Sequence, residues 1–166
     1  MKVHNINLNS EIKKKSFHLA IGNFDGVHLG HQQIIKDLII NCQKQKKSSA
    51  ILSFEPHPRQ FFSRDLDRYQ IIGLEKKKEI LRNLGVDDLF FLQFNESIAN
   101  LSPDDFVTKI IVNMLQVSKL VVGYDFRFGK NREGDVTLLK DYSTIHGFVL
   151  EVIEPIVNKS INEVYS

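Results

Sequence analysis

Residues 17–32 read FHLAIGNFDGVHLGHQ, and this stretch indicates the class of fold. The short apolar run Phe17–Ile21 predicts a buried strand. A glycine-rich segment follows from Gly22 to Gly30, and apolar residues at helical spacing then run from Ile34 to Cys42. A strand, a glycine-rich loop and a helix in this order are typical of one unit of a parallel α/β sheet.

The same alternation continues to the end of the chain. Further apolar runs predict strands at 50–54, 89–92, 120–122 and 148–153, with helical spacings between them. Arg59–Gly73 is predicted as a loop, Leu74–Leu84 and about Val136–Ile145 as helices, and Ser102-Pro103-Asp104-Asp105 as a helix start. Alternation repeated five times predicts one α/β domain: a doubly wound, five-stranded parallel sheet with helices on both faces.

Composition excludes several classes of protein. The 166 residues are 42% hydrophobic and 25% charged, which is ordinary for one globular domain. The net charge of +2 is too balanced for a protein that coats nucleic acid. One cysteine excludes an intramolecular disulfide framework, and the chain has no apolar run of membrane-spanning length. We therefore expect a soluble cytoplasmic domain with neither nucleic-acid nor membrane partners.

Ligands of doubly wound sheets bind at the carboxyl ends of the strands, which directs attention to the loop after the first strand. His28 and His31 are three residues apart, so on a first helical turn they share a face. Glycines and free helix amides beside them form a donor cluster suited to a polyphosphate. Histidines that only cap the helix are an alternative. A zinc site is a weaker one, because it would need further ligands such as Asp25 or His57.

Four segments in chain order carry a resemblance to a known family. They are Gly22–Gln32 with its His-x-Gly-His signature, Phe54–Pro58, Leu101–Val107, and Gly123–Lys130 with Gly134-Asp135 after it. Together they resemble the FMN adenylyltransferase module of bacterial bifunctional riboflavin kinase/FAD synthetases, within the nucleotidylyltransferase superfamily. The resemblance extends over about Phe17 to Pro155.

This resemblance implies a Rossmann-like fold and adenylyl transfer from ATP to FMN, giving FAD and pyrophosphate. His28 and His31 would be the catalytic residues, holding the ATP phosphates as pyrophosphate leaves. Mg²⁺ would bind together with ATP, and the sequence assigns it no protein ligand. The expected nucleotide-binding residues are Gly22, Asn23, Phe24, Asp25, Gly26 and Gly30.

The second and fourth segments would bind the flavin. The expected contacts are Pro56, His57, Pro58, Phe62, Asp125, Phe126, Arg127 and Phe128. The prolines and Phe62 would form a flat apolar wall for the isoalloxazine ring. Without the resemblance, the second segment is more simply a proline-terminated strand followed by core aromatics. The fourth is then a surface Asp–Arg pair, whose residues alternate with buried phenylalanines.

Other conspicuous residues have plainer interpretations. Cys42 lies on the apolar stripe of its helix and is predicted to be inert core. His18 and His146 are predicted to be structural. Two groups of lysines are predicted to lie on solvated helix faces. They are Lys44, Lys46 and Lys47, and Lys76, Lys77 and Lys78.

The chain departs from the family pattern in two places. Gln70–Leu74 lacks the family's Leu-Thr-Thr-like segment. The chain also stops at Ser166, before a Ser-Ser-Thr-x-Ile-Arg-like motif and a riboflavin kinase module. We expect residues 1–166 to be one FMN adenylyltransferase domain, cut from a longer chain or a minimal variant with weakened ATP binding. A non-catalytic flavin- or nucleotide-binding module, and an adenylyltransferase for another phosphate such as phosphopantetheine, are the alternatives.

Overall fold

A six-stranded, fully parallel sheet lies at the centre of the computed structural model, which describes residues 1–13, 16–63, 72–158 and 163–165. The strand order is β1-β4-β3-β2-β5-β6. The strands are β1 (Lys2–Ile6), β2 (Phe17–Ile21), β3 (Ser48–Glu55), β4 (Asp88–Gln93), β5 (Lys119–Gly123) and β6 (Val149–Ile153). A separate antiparallel pair is formed by β7 (Ile156–Asn158) and β8 (Glu163–Tyr165).

Helices connect most of the strands. They are α1 (Leu29–Gln45), α2 (Pro58–Ser63), α3 (Leu74–Leu84), α4 (Glu96–Ala99), α5 (Pro103–Asp105) and α6 (Val136–His146). A π-helical stretch, Phe106–Met114, continues α5 directly, and short 3₁₀ turns lie at Asp25–Val27 and Lys130–Arg132. Strands β2 to β6 and helices α1, α3 and α6 confirm the elements predicted from apolar spacing.

The predicted number of five strands is wrong, because β1 adds a sixth strand to the main sheet. This strand pairs with β4 in parallel, from Lys2 opposite Asp88 to Ile6 opposite Leu92. Only Ile6 of its five residues is buried, since β1 lies at the sheet edge. An edge strand needs no continuous apolar run, so the pattern used to find the other strands did not reveal it.

The predicted loop Arg59–Gly73 is also wrong in its first part. Helix α2 begins at Pro58 and includes Arg59 to Ser63. Proline is favoured at the first position of a helix because no intrahelical N–H bond is required there. Residues 64–71 of the predicted loop lie outside the described residues.

The core has two parts, one on each face of the sheet. On one face, α1 and α3 pack over a cluster that includes Ala20, Ile35 and Leu81. On the other, the Phe106–Met114 stretch and α6 cover a cluster that includes Leu19. Both clusters receive residues from β2, all five of whose residues are buried. Helices therefore cover both faces, as predicted, and removal of each large aliphatic side chain from water contributes about 2 kcal/mol.

The strand order places the reversal of winding between β2 and β5. From β2 the chain proceeds to β3 and β4 on one side, whereas β5 and β6 lie on the other. A reversal of this kind opens a crevice beyond the carboxyl ends of the two strands, where ligands of such sheets bind. The segments after β2, β3 and β5 are therefore brought to one edge of the sheet.

The third segment of the resemblance supports the fourth. Ser102 caps the start of α5, as predicted, because its Oγ accepts the N–H of Asp105 at 3.1 Å. Gly129, with φ of 76°, lies so close that a Cβ there would be 2.8 Å from the backbone nitrogen of Pro103. Lys130 donates its N–H to the carbonyl of Leu101. The loop after β5 is thus fixed on the start of α5.

We predict that Gly129→Ala destabilises the fold by about 3 kcal/mol, because it adds a backbone clash to the strain of a positive φ. Gly147→Ala is the matched control: Gly147 has φ of 77°, but a Cβ there would meet nothing within 4 Å. Strain alone should cost about 1 kcal/mol. Urea unfolding of both variants measures the difference, and equal losses would contradict the packing argument.

Candidate active site

Two stacked imidazoles stand at the start of α1. The ring centroids of His28 and His31 are 3.7 Å apart and the planes are inclined by 21°. His28 is the N-cap residue of the helix, and its Nδ1 accepts the N–H of His31 at 3.4 Å. This confirms that the two rings share a face, and it also gives His28 the capping role that was the plainer explanation. Gly30, between them, is buried in the first turn.

The loop that leads to this pair has an unusual backbone. Phe24 is in the left-handed region with φ of 50° and ψ of 41°, and Gly26 has φ of 73°. The buried ring of Phe24 meets His31 edge to face, with centroids 5.2 Å apart. A Cβ on Gly22 would lie 3.2 Å from the same ring, so the absence of a side chain there leaves room for Phe24. The buried ring of Phe24 therefore supports the His31 ring of the pair.

A side-chain hydrogen bond joins the first segment to the second. Nε2 of His57 lies 2.9 Å from Oδ2 of Asp25. Nδ1 of the same ring accepts the N–H of Arg59 at 3.0 Å, so Nε2 carries the proton that is donated to Asp25. Burial raises the pKa of Asp25, but the hydrogen bond from His57, together with the charges of Lys77 and His31, outweighs that effect and lowers the pKa. His57, predicted at the flavin wall, is thus tied to the nucleotide loop.

Lys77 also holds this loop, and the prediction that Lys76–Lys78 form a solvated face is wrong for it. Its side chain is 8% exposed and its Nζ donates to the carbonyl of Asn23 at 2.7 Å. Burial lowers the pKa of Lys77, while the charges of Asp25 and Glu55 oppose that shift. The helical spacing of Leu74, Lys77 and Leu81 contained the signal, because it places the lysine on the buried stripe of α3.

These groups surround a small cavity between the first two segments. Its lining combines charged and apolar side chains: Asp25, Phe54, Glu55, His57, Ile72, Leu74 and Lys77. Nearby, Oδ1 of Asn23 is buried and accepts no hydrogen bond from any residue in the described ranges. The carbonyl of Asn23 is satisfied twice, since Ser53 Oγ also donates to it at 3.2 Å.

The second segment presents an exposed aromatic ring. Phe62, on α2, is 67% exposed. Its ring lies edge to face with Phe61, at 5.2 Å, and with Phe94, at 5.9 Å. Pro56 directly follows β3 and Pro58 is the first residue of this helix, and both are partly buried. The predicted wall residues therefore follow one strand, directly beside the loop that follows β2.

The fourth segment alternates as predicted. Asp125 and Arg127 are exposed, whereas Phe128 is 5% exposed and packs on Phe106 with ring centroids 5.7 Å apart. Phe126, partly buried, stacks on Phe128 at 5.7 Å. Arg127 faces Asp135, with Nη1 and Oδ2 3.8 Å apart. Phe128 is therefore a core residue, whereas Phe126 remains partly accessible.

The described ranges contain no cluster of three or more His, Cys, Asp or Glu side chains that could hold a metal. Asp25 and His57, considered above as extra zinc ligands, do come together, but as a hydrogen-bonded pair.

Cys42 is buried in the core as predicted, and burial raises the pKa of its thiol to about 11. None of the helices among the described residues has the length and apolar content that a membrane span requires.

The amino-acid sequence matches a known protein family and several curated proteins. The profile of the FAD synthetase family matches residues 10–165. A bifunctional riboflavin kinase/FMN adenylyltransferase of Buchnera aphidicola (subsp. Acyrthosiphon pisum) is 35% identical over 159 residues, covering 96% of this chain and 50% of that protein. The protein of the same description from Escherichia coli K12 is 35% identical over 88% of this chain and 46% of its own length. The chain thus spans about half the length of these curated relatives.

A solved structure shares the fold. The crystal structure of a macrolide-efflux protein from Streptococcus pneumoniae superimposes with a TM-score of 0.79, covering 96% of this chain and 54% of that one. The two sequences are 21% identical, so this likeness concerns the fold alone.

We predict that the Asp25 carboxylate makes stability depend on pH. A lowered pKa means that the unfolded chain holds more protons between the folded pKa and the ordinary value of about 3.9, so stability rises with pH there. The contribution is complete above that range and is lost as pH falls through the folded pKa. The stability difference between wild type and Asp25→Asn should therefore shrink in acid, as measured by urea unfolding across the acid range.

The control for this measurement is Asp141→Asn, which removes an exposed carboxylate from α6. Unfolding of this variant, measured in parallel, separates the effect of Asp25 from the effect of removing any one carboxylate. An Asp25→Asn profile no steeper than that of Asp141→Asn would contradict the role of His57 and Lys77 in stabilising the Asp25 charge.

Proposed function

Because the chain belongs to the FAD synthetase family, we propose that it transfers the adenylyl group of ATP to FMN, giving FAD and pyrophosphate. The observation that carries this proposal is the stacked His28–His31 pair at the start of α1. The pair follows β2, at the point where the order of the sheet reverses. The relatives named FMN adenylyltransferase support the same reaction, although this chain spans about half their length.

The reaction is a substitution at phosphorus. An oxygen of the FMN phosphate bonds to the α-phosphorus of ATP, the bond from that phosphorus to the bridging oxygen breaks, and pyrophosphate leaves with the electron pair. Phosphoryl-type transfers demand little covalent chemistry from the protein, so catalysis rests on positioning and on stabilisation of negative charge. No covalent enzyme intermediate is part of this proposal.

Stabilisation of that charge falls to the start of α1. The first turns of a helix carry unpaired N–H groups and the positive end of the helix dipole, which favour an anion. His28 and His31 add ring N–H donors on one face of the same turn. In this proposal the two rings hold the phosphates, while Gly22, Asn23, Phe24, Asp25, Gly26 and Gly30 shape the pocket around them.

The flavin binds beside this turn, against the segments that follow β3 and β5. Phe62 supplies an exposed aromatic face, with Pro56, His57 and Pro58 next to it on the β3 side. From the β5 side, Asp125, Phe126 and Arg127 complete the proposed flavin contacts, and the buried Phe128 supports the ring of Phe126. A stacked flavin and a phosphate directed at α1 would bring the two reacting groups together between β2 and its neighbours.

Mg²⁺ enters this proposal with ATP, as part of the substrate. Mg²⁺ in phosphoryl-transfer sites commonly keeps several waters and binds substrate phosphates with few protein ligands. The described side chains offer no cluster that would form an all-protein cage. No step is therefore assigned to a protein-bound metal.

The proposal extends to the rest of the protein. Residues 1–166 would act as the FMN adenylyltransferase domain, with a riboflavin kinase module in the same polypeptide, as the names of the curated relatives describe for those proteins. The cytoplasm is the expected location. The activity is tested directly by incubating the full-length protein with FMN and MgATP and measuring FAD and pyrophosphate by chromatography. FMN binding without product formation would favour a non-catalytic flavin module.

We predict that His28→Ala lowers kcat by about 100-fold or more, since one donor to the developing charge is lost. FMN affinity, measured by flavin fluorescence, should stay unchanged because the ring lies at the phosphates. His146→Ala, at the exposed end of α6, is the matched histidine control and should behave as wild type. Parallel losses of rate and FMN affinity would contradict the assigned role.

Phe62→Ala should weaken FMN binding by about fivefold, the effect expected for loss of one aromatic stacking partner. Ile145→Ala is the control, because Ile145 is also an exposed apolar residue, at 71%, but lies on α6. Fluorescence titration with FMN measures both variants. Equal FMN affinity of wild type and Phe62→Ala would remove this residue from the proposed wall.

A further inference from the structure

The carbonyl of Asn23 receives two donors from two different elements. Lys77 Nζ, from α3, lies 2.7 Å away, and Ser53 Oγ, from β3, lies 3.2 Å away. We propose that Lys77 is a positioning residue for the nucleotide, which fixes the peptide between Asn23 and Phe24 in the orientation that ATP binding requires. This inference rests on the proposed function.

The geometry of a peptide explains how a contact on one side sets the other side. The Asn23–Phe24 peptide is trans, so its C=O and N–H point in opposite directions. With the carbonyl held by Lys77 and Ser53, the N–H of Phe24 is directed away from both. Phe24 itself is in the left-handed region, where a residue other than glycine is held only by its surroundings. Loss of the lysine would free this peptide to rotate.

Satisfying the carbonyl does not by itself explain an ammonium group at this position. Ser53 already provides one neutral donor to the same oxygen. Burying the charged Lys77 has a desolvation cost, which lowers its pKa, and Asp25 and Glu55 offset only part of it. A charged donor gives a shorter and stronger hydrogen bond than a neutral one. The ammonium group of Lys77 therefore fixes the carbonyl of Asn23 more strongly than the hydroxyl of Ser53 would alone.

A second feature of Asn23 points to a ligand. Its side-chain Oδ1 is buried and finds no donor in the part of the chain that the structure describes. An acceptor in that state suits a ligand N–H or O–H, such as an amino or hydroxyl group of a nucleoside. One residue thus combines a backbone held by Lys77 and a side chain that is left to accept from substrate. Lys77 acts through Asn23 and does not touch the reacting atoms.

The test compares Lys77→Met and Lys77→Arg in the full-length protein. Lys77→Met should weaken MgATP binding, measured by calorimetry without FMN, by about tenfold, the effect expected for loss of one charged hydrogen bond. The KM for FMN should not change, and Lys77→Arg should restore part of the ATP affinity. Lys76→Met is the matched control, because Lys76 is the exposed neighbour, paired with Glu79, and should bind MgATP as wild type does.

Three outcomes would overturn the inference: no loss of MgATP affinity in Lys77→Met, an equal loss of ATP and FMN affinity, or the same loss in Lys76→Met. If Lys77→Met does not fold, Ser53→Ala removes the other donor to the same carbonyl. That variant should then show a smaller, ATP-specific loss, and an unchanged affinity would count against the inference.

Failure of the proposed function gives a different result. In that case wild-type protein forms no FAD from FMN and MgATP. The calorimetric comparison of wild type with Lys77→Met still reports separately whether the lysine positions the nucleotide.

Discussion

Strand β2 is hydrogen-bonded in parallel to β3 on one side and to β5 on the other, and this double pairing organises the molecule. A parallel neighbour can be reached only by a crossover, so the chain after β2 must pass over a face of the sheet before it returns. Each strand of the central three therefore ends at the same edge. The glycine-rich loop follows the middle strand and lies between the segments that follow its neighbours.

The loop after β2 contains a strained residue, Phe24, in the left-handed region of backbone conformation, and contacts from several elements stabilise it. The ring of Phe24 packs edge to face against His31. His57 is hydrogen-bonded to Asp25, and Lys77 donates a hydrogen bond to the carbonyl of Asn23. The contacts differ in kind: one is aromatic packing, one is a hydrogen bond from an imidazole to a carboxylate, and one is a hydrogen bond from an ammonium group to a carbonyl. Together they keep a strained segment in place at the start of α1, where preorganised donors are most useful to an anion.

Several residues of the third and fourth segments have structural roles in packing. Gly129 is required by the backbone of Pro103, and Phe128 is a core residue against Phe106. In the fourth segment, Asp125 and Arg127 are exposed and Phe126 is partly accessible, whereas Phe128 is not. The third segment contributes by supporting the fourth, through Ser102 and the helix that it caps.

Besides the family resemblance carried by its four segments, the sequence alone determined local features. Apolar spacing located β2 to β6, α1, α3 and α6, and the three-residue spacing of His28 and His31 was enough to predict their shared face, because these patterns depend on neighbours in the chain. Tertiary structure decided the rest. β1 is half exposed at an edge, so only its pairing with β4 defines it, and Asp25 meets His57 only because β2 and β3 are adjacent. Lys77 became part of the loop's support because the fold carries α3 across Asn23, a contact between residues 54 positions apart that no local pattern encodes.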